Sequence, residues 1–224
     1  MNKNSGVPKK IPAFAVKRLF LYHRALMESR GQEIISSDEL SRLTRCSAAQ
    51  IRKDLTYFGQ FGTPGRGYYL EALKKHLTEI LGINQDWSVA LIGLGNLGRA
   101  LLTYEGFKTQ GFKIAAVFDN DPEKIGMRYQ GVFVSDMSRF KKIIQAYNIK
   151  IAIMAVPPTE AQEIVNQLSA TGIEGILNFV PYQIHAPENI RLLNIDMAIE
   201  LGLLSYHMTH SESWSEQSDL FNNN

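Results

Sequence analysis

Three observations predict an α/β chain of two domains. Residues 1–84 carry helical periodicity closed by a glycine-rich hairpin signal, and residues 85–195 carry apolar runs alternating with helical stretches. The hexad Gly93-Leu94-Gly95-Asn96-Leu97-Gly98 joins the first of those runs to a helix. Residues 196–210 form one further predicted helix, and the polar stretch 211–224 is expected to be a disordered tail.

The first helix is expected over Ala13–Ser29. Pro12 suits its first turn, Val16, Leu19, Phe20, His23 and Leu26–Met27 recur at steps of three and four, and Gly31 ends it. Ser36 and Glu39 have the spacing of a capping box ahead of a short helix, Glu39–Thr44, followed by a turn at Arg45-Cys46. Ser47 is the N-cap candidate of the next helix, which runs to about Tyr57. Gly59–Tyr69 places glycines among aromatics, as a hairpin requires. A helix over Leu70–Leu81 leads to the boundary at Gly82–Asp86. Helix, short helix, turn, helix and hairpin in that order describe a winged helix-turn-helix domain.

Beyond the boundary, Ser88–Ile92, Ile114–Phe118, Ile149–Val156 and Gly175–Phe179 are expected to be buried parallel strands. Leu97–Tyr104, Met137–Tyr147 and Thr159–Thr171 supply helices between them, and Met197–His210 one more. This is the pattern of a Rossmann-type, doubly wound parallel sheet.

Composition narrows the class. No apolar run approaches the roughly 20 residues that span a bilayer, and Met1–Gly6 lacks the apolar core of a signal peptide. Cys46, the single cysteine, excludes an intrachain disulfide and suits a reducing cytoplasm; it is expected to be a small buried apolar residue rather than a reactive thiol. Neither a membrane nor a metal is an expected partner. Residues 1–84 hold 14 Lys and Arg against 7 Asp and Glu, a net +7, whereas residues 85–224 hold 10 against 15, a net −5. That asymmetry suits either a polyanion partner for the first domain or a solvated basic face.

The second helix of a helix-turn-helix lies in the major groove with its N-terminal residues toward base edges. Here Ile51, Leu55 and Phe58 share the face expected to pack inward, leaving Ser47, Gln50, Arg52, Lys53 and Tyr57 as DNA-binding candidates. Arg matches guanine O6 and N7, Gln matches adenine N6 and N7, and Lys53 suits a base edge or a phosphate. Small Ala48 and Ala49 permit close approach, and Arg66, between two glycines of the wing, can enter a narrow minor groove. An amphipathic helix with a solvated basic face is the plain alternative.

The glycine hexad gives the dinucleotide candidates Gly93, Gly95, Asn96, Leu97 and Gly98: a tight turn, close approach to a pyrophosphate, and close helix–strand packing. Asp119, at the end of the second strand and 21 residues past Gly98, is placed to take ribose hydroxyls and to repel a 2′-phosphate. NAD(H) is therefore expected over NADP(H). Val156, Pro157, Asn178 and Phe179 close the next two strands and are candidates around the nicotinamide, with Tyr104 approaching from one helix beyond the loop; each also reads as core packing.

Fewer than about 40 residues remain for a substrate domain, and none of the five histidines stands in a hydride-transfer motif, so no catalytic residues are assigned. Three classes stay open: a redox-responsive repressor, an NAD-dependent oxidoreductase with a DNA-binding appendage, and a CoA-binding subunit.

The sequence resembles the Rex family of redox-sensing transcriptional repressors. The resemblance is carried by Gln50–Gly59, the wing Phe61–Tyr68, Gly93–Gly98, Phe118–Gly126 and Gly175–Phe179. It implies a homodimer that binds an inverted-repeat operator in double-stranded DNA and is released when NADH rises, NAD⁺ competing poorly. It further implies that the helix Met197–His210 is exchanged between subunits and lies between the partner's domains. On that basis Arg24 and Asp196 are expected to form a state-dependent interdomain ion pair, with Tyr104 sensing the nicotinamide; the plain alternative is two separate surface charges.

Overall fold

The computed structural model describes residues 11–29, 31–63 and 65–210, so the expected signal-free N-terminus and disordered tail lie outside the described residues. The chain divides into two compact units between Asn84 and Gln85.

The first unit runs α1 (Ala13–Glu28), β1 (Ile34–Ile35), α2 (Ser37–Thr44), α3 (Ala48–Thr56), β2 (Gly62–Thr63), β3 (Gly67–Tyr69) and α4 (Leu70–Ile80). β3 pairs antiparallel with both β1 and β2, completing the wing. β1 was not expected: it has only two residues, too few to show a period of two. Ser36 caps α2 as expected, its hydroxyl accepting from the Glu39 N–H at 3.1 Å while the Glu39 carboxylate accepts from the Ser36 N–H at 2.8 Å. The helix therefore begins at Ser37, earlier than periodicity alone indicated. Pro12 stands at the N-cap of α1 rather than inside its first turn. The inward stripe of α1 is Ala15, Leu19, Tyr22 and Leu26, with Met27 turned out to solvent and Arg18 and His23 turned in. Leu19, Leu26, Leu40, Ile51, Leu73 and Leu77 are fully buried, each contributing about 1.5–3 kcal/mol by leaving water.

The second unit runs β4 (Trp87–Ile92), α5 (Asn96–Leu102), α6 (Glu105–Lys108), β5 (Phe112–Asp119), β6 (Arg128–Tyr129), β7 (Val132–Asp136), a 3₁₀ turn (Met137–Arg139), α7 (Phe140–Ala146), β8 (Ile151–Met154), α8 (Pro158–Ser169), β9 (Gly175–Asn178), β10 (Arg191–Asn194) and α9 (Met197–Thr209). The sheet order is β10-β9-β8-β4-β5-β7-β6, parallel throughout except for the β6–β7 pair. Counted from β7, the parallel strands follow the doubly wound order 3-2-1-4-5-6, which reverses at β4. Ala90, Ile92, Ala116, Phe118, Ala152 and Met154 face α7 and α8, while Val89, Leu91, Val117 and Ile153 fill the other side.

Three strands of this sheet, β6, β7 and β10, were not expected. β6 has two residues, β7 turns polar at Ser135 and Asp136 after three apolar positions, and β10 leaves three of its four residues exposed, so none gives the long apolar run by which the buried strands announce themselves. The helix expected over Leu97–Tyr104 is α5, which ends at Leu102, and a second short helix that was not expected, α6, follows it. Tyr104 takes an extended conformation (φ −75°, ψ 104°) between α5 and α6.

Candidate functional site

The reversal of strand order leaves a crevice at the carboxyl ends of β4, β5 and β8, where open α/β sheets take ligands. A cavity of about 320 Å³ lies there, lined by Gly93 and Gly95 of the glycine loop, by Asp119, Asp121 and Lys124 after β5, and by Ala155–Pro157 after β8. That volume falls at the lower end of small-molecule sites. Gly93 has φ +88°, and a Cβ there would overlap the Ala155 carbonyl oxygen, so the loop can turn this tightly only with glycine. A Cβ on Gly98 would overlap the Gly93 carbonyl oxygen, which is how helix and strand come so close. A Cβ on Gly95 would meet nothing within 4 Å: its free side faces the cavity rather than the fold.

Asp119 does more than line the cavity. It is buried, and one carboxylate oxygen accepts from the Leu94 N–H at 2.7 Å, bracing the glycine loop. The other accepts from the Asp121 N–H at 2.9 Å. Lys124, which sequence reasoning did not single out, lies 3.3 Å from Asp119 and 3.2 Å from Asp121. Burial works against the Lys124 ammonium, but hydrogen bonds to the two carboxylates outweigh it and raise its pKa. The Asp121 carboxyl is held below its usual range, first by the Glu123 N–H and then by Lys124. Two carboxylates against one ammonium leave this corner net negative. Its signal in the sequence is the spacing of Asp119, Asp121 and Lys124 within the segment Phe118–Gly126.

The structure brings Gly93, Gly95, Asp119, Val156 and Pro157 together around this cavity. The other dinucleotide candidates stand elsewhere. Asn96 and Leu97 begin α5, and Gly98 is buried beneath the loop. Asn178 is fully buried, and its amide is engaged within the fold, donating to the Val180 carbonyl at 3.1 Å and the Asn194 side chain at 2.9 Å and accepting from the Val180 N–H at 2.9 Å. Phe179 packs on the opposite face of the sheet from the cavity's Phe118 and Ile164. Tyr104 is exposed and lines a separate cavity with Phe107, Phe112 and Val132.

In the first unit, Arg52 and Arg66 line a groove of about 580 Å³ between the start of α2, α3 and the wing. Arg52 donates to the Ser37 hydroxyl at 2.7 Å, and Lys53 and Arg66 are exposed. Ser47 caps α3, its hydroxyl accepting from the Gln50 N–H at 3.1 Å, and Tyr57 is half-buried at the other end. Gln50 departs from expectation. Its side chain is not free toward solvent but donates at 2.6 Å to Asp54, one helical turn on.

Asp54 and Arg18 are functional-site neighbours that sequence reasoning missed. Asp54 is fully buried and receives Arg18 Nε at 2.5 Å, Arg18 Nη2 at 2.7 Å and the Tyr22 hydroxyl at 2.7 Å. The hydrogen bond to Asp54 raises the Arg18 pKa against desolvation, and burial followed by the Asp54 bond pushes the Tyr22 phenol far up, so both remain donors. The signal was a charged residue on an apolar stripe: Arg18 stands three past Ala15 and four before Tyr22, and Asp54 three past Ile51.

Arg24 is exposed on α1. Asp196 caps α9, its carboxylate accepting from the Ala198 N–H at 2.9 Å. α9 itself buries no residue in the single chain, and Met197, Ile199, Leu201, Leu204 and Met208 are all exposed. Among the described residues, no helix is long and apolar enough to cross a membrane.

Comparison with known proteins agrees with both halves. Residues 84–182 match the CoA binding domain family, and residues 10–56 match the family described as putative DNA-binding protein N-terminus. The redox-sensing transcriptional repressor Rex of Desulfitobacterium hafniense is 44% identical over 89% of this chain and 96% of its own length. Redox-sensing transcriptional repressor Rex 1 of Thermotoga maritima is 41% identical over 92% of this chain and 99% of its own. Among solved structures, RSP in complex with β-NAD⁺ and operator DNA is 37% identical with a TM-score of 0.84, covering 91% of this chain and 95% of that one. RSP in complex with β-NADH is 33% identical with a TM-score of 0.79, covering 92% and 97%. Identity at this level, spanning the winged unit and the nucleotide-binding unit together, settles the relationship: the chain belongs to the Rex family of redox-sensing transcriptional repressors.

Proposed function

We propose that this protein binds operator DNA as a homodimer and leaves it when NADH occupies the crevice at the carboxyl ends of β4, β5 and β8. It is a cytoplasmic regulator rather than a catalyst. The observation that carries this reading is the glycine loop: Gly95 turns an open backbone face into a cavity whose far wall is the acidic end of β5. Gly93, Gly95 and Gly98 shape the pyrophosphate seat, with Asn96 and Leu97 at the helix that follows. Asp119 braces the loop and presents its remaining edge to the adenosine ribose. The net negative corner of Asp119, Asp121 and Lys124 disfavours the 2′-phosphate of NADP(H). Val156 and Pro157 form an apolar wall. Tyr104, Asn178 and Phe179 stand outside the cavity lining, Asn178 with its amide engaged within the fold.

The redox state of the ligand is legible to such a wall. The NAD⁺ ring is cationic and the NADH ring neutral, and an apolar surround penalises the cation through desolvation. A ligand shifts the equilibrium only by binding one state better than the other. NADH must therefore favour a dimer whose two winged units no longer match the spacing of the half-sites. The exposed apolar residues of α9 exceed what a solvated helix needs, and a second copy of the chain is the partner proposed to cover them. Ser47, Gln50, Arg52, Lys53, Tyr57 and Arg66 would then meet the operator, Gln50 with the part of its amide that Asp54 leaves free.

The match to a CoA binding domain family favours a second reading, CoA as the ligand. Calorimetric titration with NADH, NAD⁺, NADPH and CoA separates the two. Tightest binding of NADH supports the proposal, and tightest binding of CoA would replace it.

A further inference from the structure

We infer that buried Asp54 fixes the orientation of the Gln50 amide and thereby sets which base edge α3 reads; this rests on the reading of α3 as the DNA-reading helix. Gln50 is the one member of the buried network that stands in the first half of α3, where base contacts are made. Its amide bears two kinds of group, an NH₂ that donates and an oxygen that accepts. A free glutamine can present either one to DNA by turning over. Here it is not free.

Asp54 faces the Arg18 guanidinium through two hydrogen bonds and so acts as an acceptor only. Each of its oxygens receives two donors: Arg18 Nη2 and Gln50 Nε2 on one, Arg18 Nε and the Tyr22 hydroxyl on the other. A flipped Gln50 would set its own oxygen against a carboxylate oxygen at hydrogen-bond distance, two acceptors with no proton between them. The NH₂ must therefore face Asp54. One N–H is committed there, and the amide keeps its oxygen and one N–H, the acceptor–donor pair that adenine N6 and N7 require. Donation to a carboxylate also polarises the amide and strengthens its oxygen as an acceptor. Asp54 is itself held from α1, outside the reading helix, so Arg18 and Tyr22 keep in place a glutamine they do not touch. Asp54 is thus a positioning residue for sequence readout.

A randomised-operator binding assay tests this with wild type, Asp54→Asn, Gln50→Ala and the double variant. Asparagine can donate or accept, so Asp54→Asn releases the amide to turn over. Gln50→Ala is expected to flatten the base preference at one half-site position by about tenfold. Asp54→Asn is expected to flatten that same position, leave the others, and add nothing there once Gln50 is alanine. A uniform loss of affinity across all operators, or a further change of preference in the Gln50→Ala background, would overturn the inference. Nitrogen-15 NMR of the wild-type protein does not depend on how the variant folds. One Gln50 side-chain proton, assigned by its loss in Gln50→Ala, should be shifted downfield and stay so with operator bound; a pair at free-glutamine positions overturns the inference. Lys53→Ala distinguishes the levels: unchanged operator affinity would remove α3 as the reading helix and this inference with it. Weakened affinity there, with normal preference in Asp54→Asn, would remove only the positioning role.

Discussion

Gly95→Ala and Gly98→Ala differ by a methyl placed three residues apart, yet the structure assigns them opposite consequences. Gly95 has φ −74° and ψ −164°, which any residue adopts, and its added Cβ would meet nothing within 4 Å. Stability of the unliganded protein should change by no more than about 1 kcal/mol. The methyl would instead stand where the pyrophosphate is proposed to approach. Loss of one charge-assisted hydrogen bond costs about 1.5–3 kcal/mol, or roughly 10- to 150-fold in Kd. Gly98→Ala drives its Cβ into the Gly93 carbonyl oxygen, a backbone atom that cannot rotate away. It should destabilise the unit by about 1–3 kcal/mol or more. Thermal melting without ligand, paired with an NADH titration followed by nicotinamide fluorescence, measures both. Gly95→Ala with wild-type melting and wild-type NADH affinity would refute the placement of the pyrophosphate. Gly98→Ala with wild-type melting would refute the packing.

Arg18→Ala leaves the Asp54 carboxylate buried without its cation and should cost about 3–5 kcal/mol in denaturant unfolding, whereas replacing both residues by apolar ones should recover much of it. His23 is buried, with Nε2 3.0 Å from the Thr78 hydroxyl, and burial followed by Lys74 lowers its pKa from 6.5. The unfolded chain then binds the proton more readily. The winged unit should hold this stability above pH 6.5 and lose it as pH falls toward the folded value, an effect absent in His23→Gln. For the proposed switch pair, Arg24→Asp and Asp196→Arg should each shift the NADH concentration that releases operator, and the double swap should partly restore it; additive effects would mean that the two charges do not meet. Because Asp196 also caps α9, Asp196→Asn, which keeps the cap, is the control for lost helix stability.

The features that carried through from sequence share a physical origin. The capping box at Ser36 and Glu39 and the cap at Ser47 depend on residues three apart, so they survive without tertiary knowledge. The four central strands are buried on both faces and therefore apolar along their length. The glycine loop was legible because three of its positions exclude or expose a Cβ for separate steric reasons. What stayed hidden depends on partners distant in the chain. Asp54 is charged, and only Arg18 and Tyr22, 36 and 32 residues away, make its burial possible. Gln50 was assigned outward for the same reason. Asn178 looked like a polar handle for a ligand, but β10, an exposed strand with no apolar run, supplies Asn194 to satisfy it. Tyr104 was placed by distance along one helix, and the break between α5 and α6 moves it to another cavity.

Operator release by the reduced cofactor is the claim on which the rest depends. Fluorescence anisotropy of a labelled operator, held at one salt concentration and titrated with NADH, NAD⁺ and NADPH in parallel, measures it directly. The account predicts release at far lower NADH than NAD⁺ or NADPH, with Gly95→Ala needing roughly 10- to 150-fold more NADH for release. Equal release by NADH and NAD⁺, or none by NADH, would contradict it.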